Sequence, residues 1–568
     1  MERVAMTRNG SIWMLTAAIA FSGLAAPARA QVSEARIREL IKQAADPNSR
    51  LQAPASVQPG TPADGRPLVP ISLDEAVKFA LERNLDIAVQ RLNPEINDIA
   101  YASIKSVYHP NLTSTLSTQS TTTPSTSTLS GSDTTGSGIV GSLQNYNGGV
   151  AQQIPYGGGS FTVALNNNRQ TTTSANVLYN PTFNTNWSGS YLQPLFRNFR
   201  IDATRRSLRV TRINRDISDL QLRATITNTL SNVRNAYWDY VFTVQSVDVA
   251  RQSVALASQL VKDNQTRVEV GTMAPIDVVQ AQSQAATQQQ LLVTAQGAMR
   301  TAELALKRFI VAGTQDPNWG AHLDPTDRPD FRSEPIDIEA AVRRALAERT
   351  DLEIAKKNIS ANDVTLSYLV DQMRPQADLA ATYGLVGLGG TQLLTSGSGV
   401  NRVVTGTVPG GYGNALSTLF GNNFPRWTVQ LNLSYPLGVS SQEASVARAR
   451  VQLNQVQAQT KQIELQVATD VTNAAINVQS GVERVQAAQA ARALAQKTLE
   501  AEQSKFEVGM STNYNVILAQ RDLATAQSNE LQSVLNYRKS LVELERVQST
   551  TLSSLNITVL TASGGVPQ

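Results

Sequence analysis

Cysteine is absent from all 568 residues, which excludes disulfides, thiol chemistry and attachment through a lipidated N-terminal cysteine. Histidine is nearly absent: His109 and His322 stand far apart and in no metal-ligand spacing. His109 precedes Pro110 and reads as a cap or packing residue. No G-x-x-x-x-G-K-[ST] loop occurs, Gly157-Gly-Gly159 lacks the lysine that would follow, and the many serines have no histidine partner in a recognisable motif. The sequence therefore indicates no enzyme, no metal site and no cofactor. A net charge of +4 over this length is too weak to indicate nucleic acid. Long hydrophobic runs are lacking too. Ile12 to Leu24 is short of the ~20 residues that span a bilayer, and no later stretch reaches that length. Placed between Arg3, Arg8 and Ala28-Arg29-Ala30, it reads as the core of an export signal over residues 1–30. With no transmembrane helix, residence in a membrane requires a β-barrel.

Proline and glycine are missing where it matters most. Ile201 to Val270 contains neither, and Val439 to Val508 contains only Gly481. Each stretch of seventy residues predicts a helix of about 105 Å at ~1.5 Å per residue. Each ends in the same kind of turn, Val270-Gly271-Thr272-Met-Ala-Pro275-Ile-Asp277-Val278 and Val508-Gly509-Met-Ser511-Thr-Asn513-Tyr-Asn515-Val516, before another helix begins.

The chain is written twice. Ile71-Ser-Leu-Asp-Glu-Ala-Val77 is answered by Ile336-Asp-Ile-Glu-Ala-Ala-Val342, and Pro110 by Pro375, both 265 positions on. Pro194-Leu195 matches Pro436-Leu437 at an offset of 242, and Gly271 matches Gly509 at 238. The offset falls by 23 between the prolines, where the first half has extra Ser, Thr and Gly. This divides the chain into a signal (1–30), a Pro-rich linker (31–70, with one possible short helix over Glu34–Ala45), a first repeat (71–330), a second repeat (331–555) and a tail (556–568).

Between the paired prolines the apolar period changes to two. Ala377, Leu379, Ala381, Tyr383 and Leu385 alternate with polar or small residues, as do Trp427, Val429, Leu431, Leu433 and Tyr435. A transmembrane strand needs ~9–11 residues with aromatics at the interfaces. An edge strand of a soluble sandwich alternates in the same way, but beside an export signal and no helical anchor the membrane reading leads. The first half offers Asn111–Thr122, Trp187-x-Gly189-x-Tyr191, and an extra hairpin, Val150–Ile154 with Phe161–Leu165, around Pro155–Gly159. Segments 123–138 and 386–426 suit long external loops.

The rods carry a narrow coiled-coil seam. Ile226, Leu230, Val233, Tyr237, Tyr240, Val244, Val247 and Val254 follow 4-3 spacing, broken by Arg251. Val278, Ala281, Ala285, Leu292, Ala295, Met299, Ala302 and Leu306 do likewise, with Gln288 the exception. Such a seam suits helices with neighbours on both sides and water on two faces, and equally an ordinary antiparallel coiled coil. Arg197, Arg200, Arg205, Arg206, Arg209, Arg212 and Arg215 crowd the start of the first rod, where cations oppose the helix dipole. They suit lipid headgroups or a channel lining, or simply a solvated face.

The ordered duplicate set, with Gln193-Pro194-Leu195, Tyr435-Pro436-Leu437 and the two Val-Gly turns followed by Asp277-Val278 or Asn515-Val516, resembles the TolC-like outer-membrane efflux family over residues 71–555. The resemblance implies a mainly α protein with a transmembrane β-barrel. Three copies would form a channel-tunnel, each giving four strands to one barrel and its helices to a periplasmic tunnel. It implies an outer-membrane location, contact with outer-membrane lipid through Trp187, Tyr191, Trp427 and Tyr435, and a passive exit duct for a tripartite efflux or type I secretion system. The partners implied are a periplasmic adaptor protein and an inner-membrane transporter. The turns, with Gly271, Thr272, Pro275, Asp277, Gly509, Ser511, Asn513, Asn515 and Leu518, would be the docking and gating tip. Some members of the family lock the second turn with an Arg and two Asp; here those positions hold Ser511, Asn515 and Leu518, with Phe506 where a tyrosine would stand. An acidic iris is not implied, and Asp277 reads equally as a first-turn acid stabilising its helix. A stand-alone porin would not need two such rods, and a secreted coiled-coil structural protein would not need Trp427–Tyr435.

Overall fold

The computed structural model describes residues 67–125, 138–328, 331–333, 335–397, 402–438 and 440–558. The export signal, the Glu34–Ala45 helix, most of the linker and residues 559–568 of the tail lie outside these residues.

Chain order begins with β1 (Leu68–Ile71), α1 (Leu73–Arg83) and α2 (Leu85–Lys105). Ser72 and Glu75 form a reciprocal capping box at the start of α1, and Asn84 caps α2 through Asp86 and Ile87 N–H groups. Four strands follow: β2 (Asn111–Pro124), β3 (Gly138–Gln153), β4 (Ser160–Thr172) and β5 (Tyr179–Pro194). The first rod, α3 (Ala203–Glu269), leads through the Gly271 turn to α4 (Pro275–Ile310) and β6 (His322–Pro325). The second repeat supplies α5 (Ile338–Glu348), α6 (Thr350–Gln372), β7 (Gln376–Ser396), β8 (Val403–Val408), α7 (Tyr412–Phe420) and β9 (Pro425–Ser434). It closes with the second rod, α8 (Ser441–Glu507), and α9 (Asn513–Val547).

Both rods are 67 residues long, about 100 Å at ~1.5 Å per residue, beginning two residues later and ending one residue earlier than expected. Asp202 caps α3 through the Arg205 N–H and Ser440 caps α8 through the Glu443 N–H. The helices lie in two rows of four: α2, α3, α6 and α8 near the strands, and α4, α3, α9 and α8 at the far end. The rods run through both rows. The predicted seam is the packed face: Ile226, Leu230, Val233, Tyr237, Tyr240 and Val247 are buried and Arg251 is exposed. Gln288 is buried between the half-buried Ala285 and Leu292, so the seam continues through it.

Midway, β1 pairs in parallel with β6. Residues 68–70, expected at the end of the linker, are therefore part of the fold: the Tyr237 hydroxyl donates to the Ile71 carbonyl, that of Tyr240 to the Leu323 carbonyl. Ile71, Ile87, Leu306 and Ile310 join the core there. Ile557, assigned to the tail, packs on the same cluster.

The strands form one sheet in the order β2-β3-β4-β5-β7, with β9 and β8 both on the far edge of β7. β9 pairs Gln376–Leu385 and β8 pairs Gln392–Ser396, so they occupy one position at different heights. The sheet of one chain thus has six strand positions, not the four that the resemblance implied. The supposed extra hairpin is a pair of full-length strands of 16 and 13 residues. Nor is 386–426 a loop: β7 runs on to Ser396, β8 follows, and α7 lies on the sheet, Ala415 and Leu419 buried over Gly387 and Gly389. In-register residues of antiparallel strands share a face. Pairing Phe161 with Tyr191, Leu165 with Trp187, Trp187 with Leu385 and Tyr383 with Trp427 makes one face apolar. The other carries Asn166, Asn168, Asn184, Asn186, Ser188 and Gln430. No helix among the described residues is long and apolar enough to cross a membrane.

The arginine cluster packs mostly against protein. Arg205 donates to Asp202 Oδ2 (2.8 Å) and to the carbonyls of Phe199 (2.9 Å) and Asn198 (2.6 Å). Arg206 lies over the Tyr368 ring, Arg197 bonds Gln372, and Arg215 pairs with Asp98 and Asp219. Only Arg200, Arg209 and Arg212 are left exposed for lipid, lumen or water.

Candidate functional site

Both rods end in the same backbone device. Gly271 (φ 77°) and Gly509 (φ 80°) take the left-handed conformation that a side chain resists. The Gly271 N–H bonds the Val268 carbonyl (3.0 Å) and the Thr272 N–H the Arg267 carbonyl (2.9 Å). In the second turn the Gly509 N–H bonds Phe506 (3.2 Å) and the Met510 N–H bonds Lys505 (2.8 Å). These paired bonds, one reaching back five residues and one three, are the Schellman closure that satisfies the last carbonyls of a helix. The Val-Gly repeat in the sequence is this motif written twice. Pro275 then opens α4 at a first-turn position, where its missing N–H costs nothing.

The two turns are held side by side, because α3 packs on both α4 and α9. At their contact sits an amide pair. Asn264, fully buried on α3, donates to Asn513 Oδ1 (2.9 Å), and Asn513 Nδ2 donates to the Asp277 carbonyl (3.2 Å). Beside it the Arg267 guanidinium lies 4.4 Å from the centre of the Phe506 ring and donates to the Phe506 carbonyl at 3.0 Å. Leu260, Ala281, Phe506 and Val516 close a small apolar cluster around these contacts.

Each turn has its own further fastening. The Thr272 hydroxyl donates to the Arg267 carbonyl (3.0 Å). In the second turn Ser511 Oγ donates to Glu502 Oε2 (2.6 Å), Lys505 Nζ meets Glu502 Oε1 at 2.7 Å, and Asn515 Nδ2 reaches Ser511 Oγ (3.3 Å). The Lys505 bond first, then that from Ser511, holds the Glu502 carboxyl below its ordinary pKa.

Of the expected tip residues, Asp277 and Asn513 meet, and Ser511 and Asn515 meet. Gly271, Thr272, Pro275 and Gly509 line the exposed end, and Leu518 joins neither apolar cluster at the tip. Asp277 joins through its backbone carbonyl, in the first turn of α4. Asn264, Arg267 and Glu502 were missed. Asn264 stands one heptad after Ala257 on the packed seam, and a lone amide there was the available signal. At the other end, Trp187, Tyr191 and Trp427 share the apolar face, while Tyr435 stands one residue past β9. Among the described residues no three His, Asp or Glu are placed to hold a metal ion.

The family model described as outer membrane efflux protein matches residues 159–310 and 341–548. No curated relative matches the chain. The fold is similar to that of the CmeC outer membrane channel of Campylobacter jejuni (TM-score 0.59, 13% identity, 84% of this chain and 86% of that one). It is similar to the outer membrane protein VceC of Vibrio cholerae (0.57, 14%, 84% and 95%). It is likewise similar to the MtrE outer membrane channel of Neisseria gonorrhoeae in its open state (0.56, 14%, 84% and 89%).

Proposed function

The chain belongs to the outer membrane efflux protein family and is an outer-membrane efflux channel; from that premise we propose how its two ends divide the work. Three copies close the strands into one barrel in the outer membrane and their helical rows into a tunnel reaching into the periplasm. The observation that carries this reading is the distance between two unlike ends. A sheet with one apolar and one polar face stands about 100 Å from a pair of exposed, glycine-closed turns, joined by continuous 67-residue helices. The apolar face meets lipid, with Trp187 and Trp427 toward one interface, Tyr435 toward the other, and Tyr191 four positions along β5 from Trp187 on the same face. The polar face lines water.

The turns around Gly271 and Gly509 are where an adaptor protein, and through it an inner-membrane transporter, engages. The Asn264–Asn513 and Arg267–Phe506 contacts hold the paired hairpins in the shut arrangement, and docking opens the duct by parting them. The duct itself is passive and does no catalysis. Neither a stand-alone porin nor a periplasmic coiled-coil protein accounts for rods and sheet together.

The test is conductance of purified protein in a planar bilayer alongside native mass measurement. Three copies with a low conductance that rises when Asn513 is replaced are expected. A soluble monomer without conductance would sink the reading.

A further inference from the structure

The first repeat carries four strands between its prolines where the second carries two strand positions. We propose that the closed barrel contains eighteen strands, six from each copy, and that its wall is as wide as the helical tunnel beneath it. The inference rests on the three-copy assembly proposed above.

β3 and β4 are wall strands. β2 pairs with β3 over Asn111–Pro124, β3 with β4 over Gly141–Gln153, and β4 with β5 over Ser160–Gln170. Both faces continue across them: Val150, Val163 and Leu165 extend the apolar side, Asn147 and Asn166 the polar side. A flap folded into the lumen or lying outside the wall would need no such alternation.

Their lower turn is built into the strand–helix junction. Gln193 Nε2 donates to the Gly157 carbonyl (2.8 Å), and Gln152 Nε2 donates to that of Tyr108 (2.9 Å), between the end of α2 and the start of β2. Gly158 has φ 68°, and a Cβ there would stand 2.5 Å from the Asn198 carbonyl oxygen that Arg205 holds. The hairpin therefore reaches the level at which the other strands become helices.

The edges are complementary. With six alternating directions, β2 and β9 run antiparallel to each other, so β9 of one copy can add to β2 of the next without a parallel join. Among the described residues both edges are unpaired, and both present apolar side chains to the same face, Leu116 at 75% exposure and Leu431 at 52%. A second copy of this chain is the occupant that satisfies both the hydrogen bonds and the face.

The circumferences agree. Eighteen strands at ~4.8 Å spacing and ~40° tilt need about 110 Å of wall. Twelve helices at about 9 Å, four per copy in the row next to the strands, need about the same. Twelve strands would need only about 75 Å, and the exit would narrow where it enters the membrane.

Two measurements separate this from the assembly on which it rests. Native mass fixes the copy number. The chain has no cysteine, so Val163→Cys, Ala164→Cys, Leu165→Cys and Asn166→Cys each introduce a sole thiol, to be labelled with a membrane-impermeant maleimide in nanodiscs. The expected result is labelling of positions 164 and 166 and protection of 163 and 165, with a ring about 35 Å across in images down the axis. Three copies with uniform labelling, or with a ring near 24 Å, would overturn the eighteen-stranded wall and leave the three-copy channel standing. A copy number other than three would overturn it through the assembly itself, whatever the labelling.

Discussion

The two halves of this chain build the same rod and diverge at both of its ends. α3 and α8 are equal in length, each is capped by a short polar side chain, and each is closed by a left-handed glycine. Yet the first half spends 83 residues between Pro110 and Pro194 on four strands. The second spends 60 between Pro375 and Pro436 on two long strands, a short one and a surface helix. The tips differ too: a threonine fastens the first turn to its own backbone, while a carboxylate, a lysine and a serine fasten the second. A rod of fixed length is a geometric requirement shared by both repeats, because rods of unequal length could not bring the two turns together. What lies beyond the rod's ends is free to specialise.

The largest effect is expected where the halves touch. Asn513→Ala removes the acceptor of the buried Asn264 amide and a donor to Asp277, which should cost about 1–3 kcal/mol. Hydrogen exchange in the first turn of α9 should accelerate and conductance should rise. Asn515→Ala, at an exposed position whose side chain bonds Ser511 within its own turn, should stay within about 0.5 kcal/mol. Equal effects from the two substitutions would mean that the amide pair is not what joins the tips. Gly271→Ala and Gly509→Ala come next, at about 1–2 kcal/mol each. Both sites are sterically open, so the cost is backbone strain alone and should be the same in each half. A clear inequality in helix-end protection would show that the turns are not energetic equivalents.

Phe506→Leu keeps an apolar side chain and removes the ring beneath Arg267, an expected loss of about 1 kcal/mol. Phe506→Tyr should be nearly neutral. Salt separates the two contacts at the tip: a cation–π pair with a charged member weakens as ionic strength rises, whereas the Asn264–Asn513 pair carries no charge. Conductance of the Phe506→Leu protein should therefore depend less on salt than that of the wild type.

What the sequence made legible follows the same division. The rods were readable because seventy residues without Pro or Gly, on a 4-3 seam, have few alternatives to a helix. The glycine turns were readable because they repeat. The strands of the first half were not. β2 is Asn-Leu-Thr-Ser-Thr-Leu-Ser-Thr-Gln-Ser over most of its length, with only Leu112 and Leu116 to mark a face, and β3 places Gly148 and Gly149 where a period would have to show. A sheet with one polar face needs little apolar material, so the alternation fades. The extra 23 residues of the first half are visible in the sequence as an insertion, but an insertion does not announce that it pairs on both sides. The tip contacts were hidden for another reason: Asn264 and Asn513 are polar residues in buried positions, and only their partners across 249 residues explain them.

The smallest expected effect is also the one that separates the tips by chemistry rather than geometry. Bonds from Lys505 and Ser511 depress the Glu502 carboxyl below its unfolded value. A group lowered in the folded state adds stability that is present above the unfolded pKa and lost as pH falls through the folded one. Acidification from neutral pH through and below the ordinary glutamate range should therefore loosen the second turn, Lys505–Ser511, and speed its hydrogen exchange beyond the intrinsic pH trend. The first turn is fastened by a hydroxyl on a carbonyl, with no titrating group, and should follow the intrinsic trend alone. Glu502→Gln should abolish the difference and leave both turns with the same pH profile. If the wild-type turns already share one profile, the Glu502 contact contributes nothing to the second turn, and the asymmetry of the tips is confined to the buried amide and the Arg267–Phe506 pair.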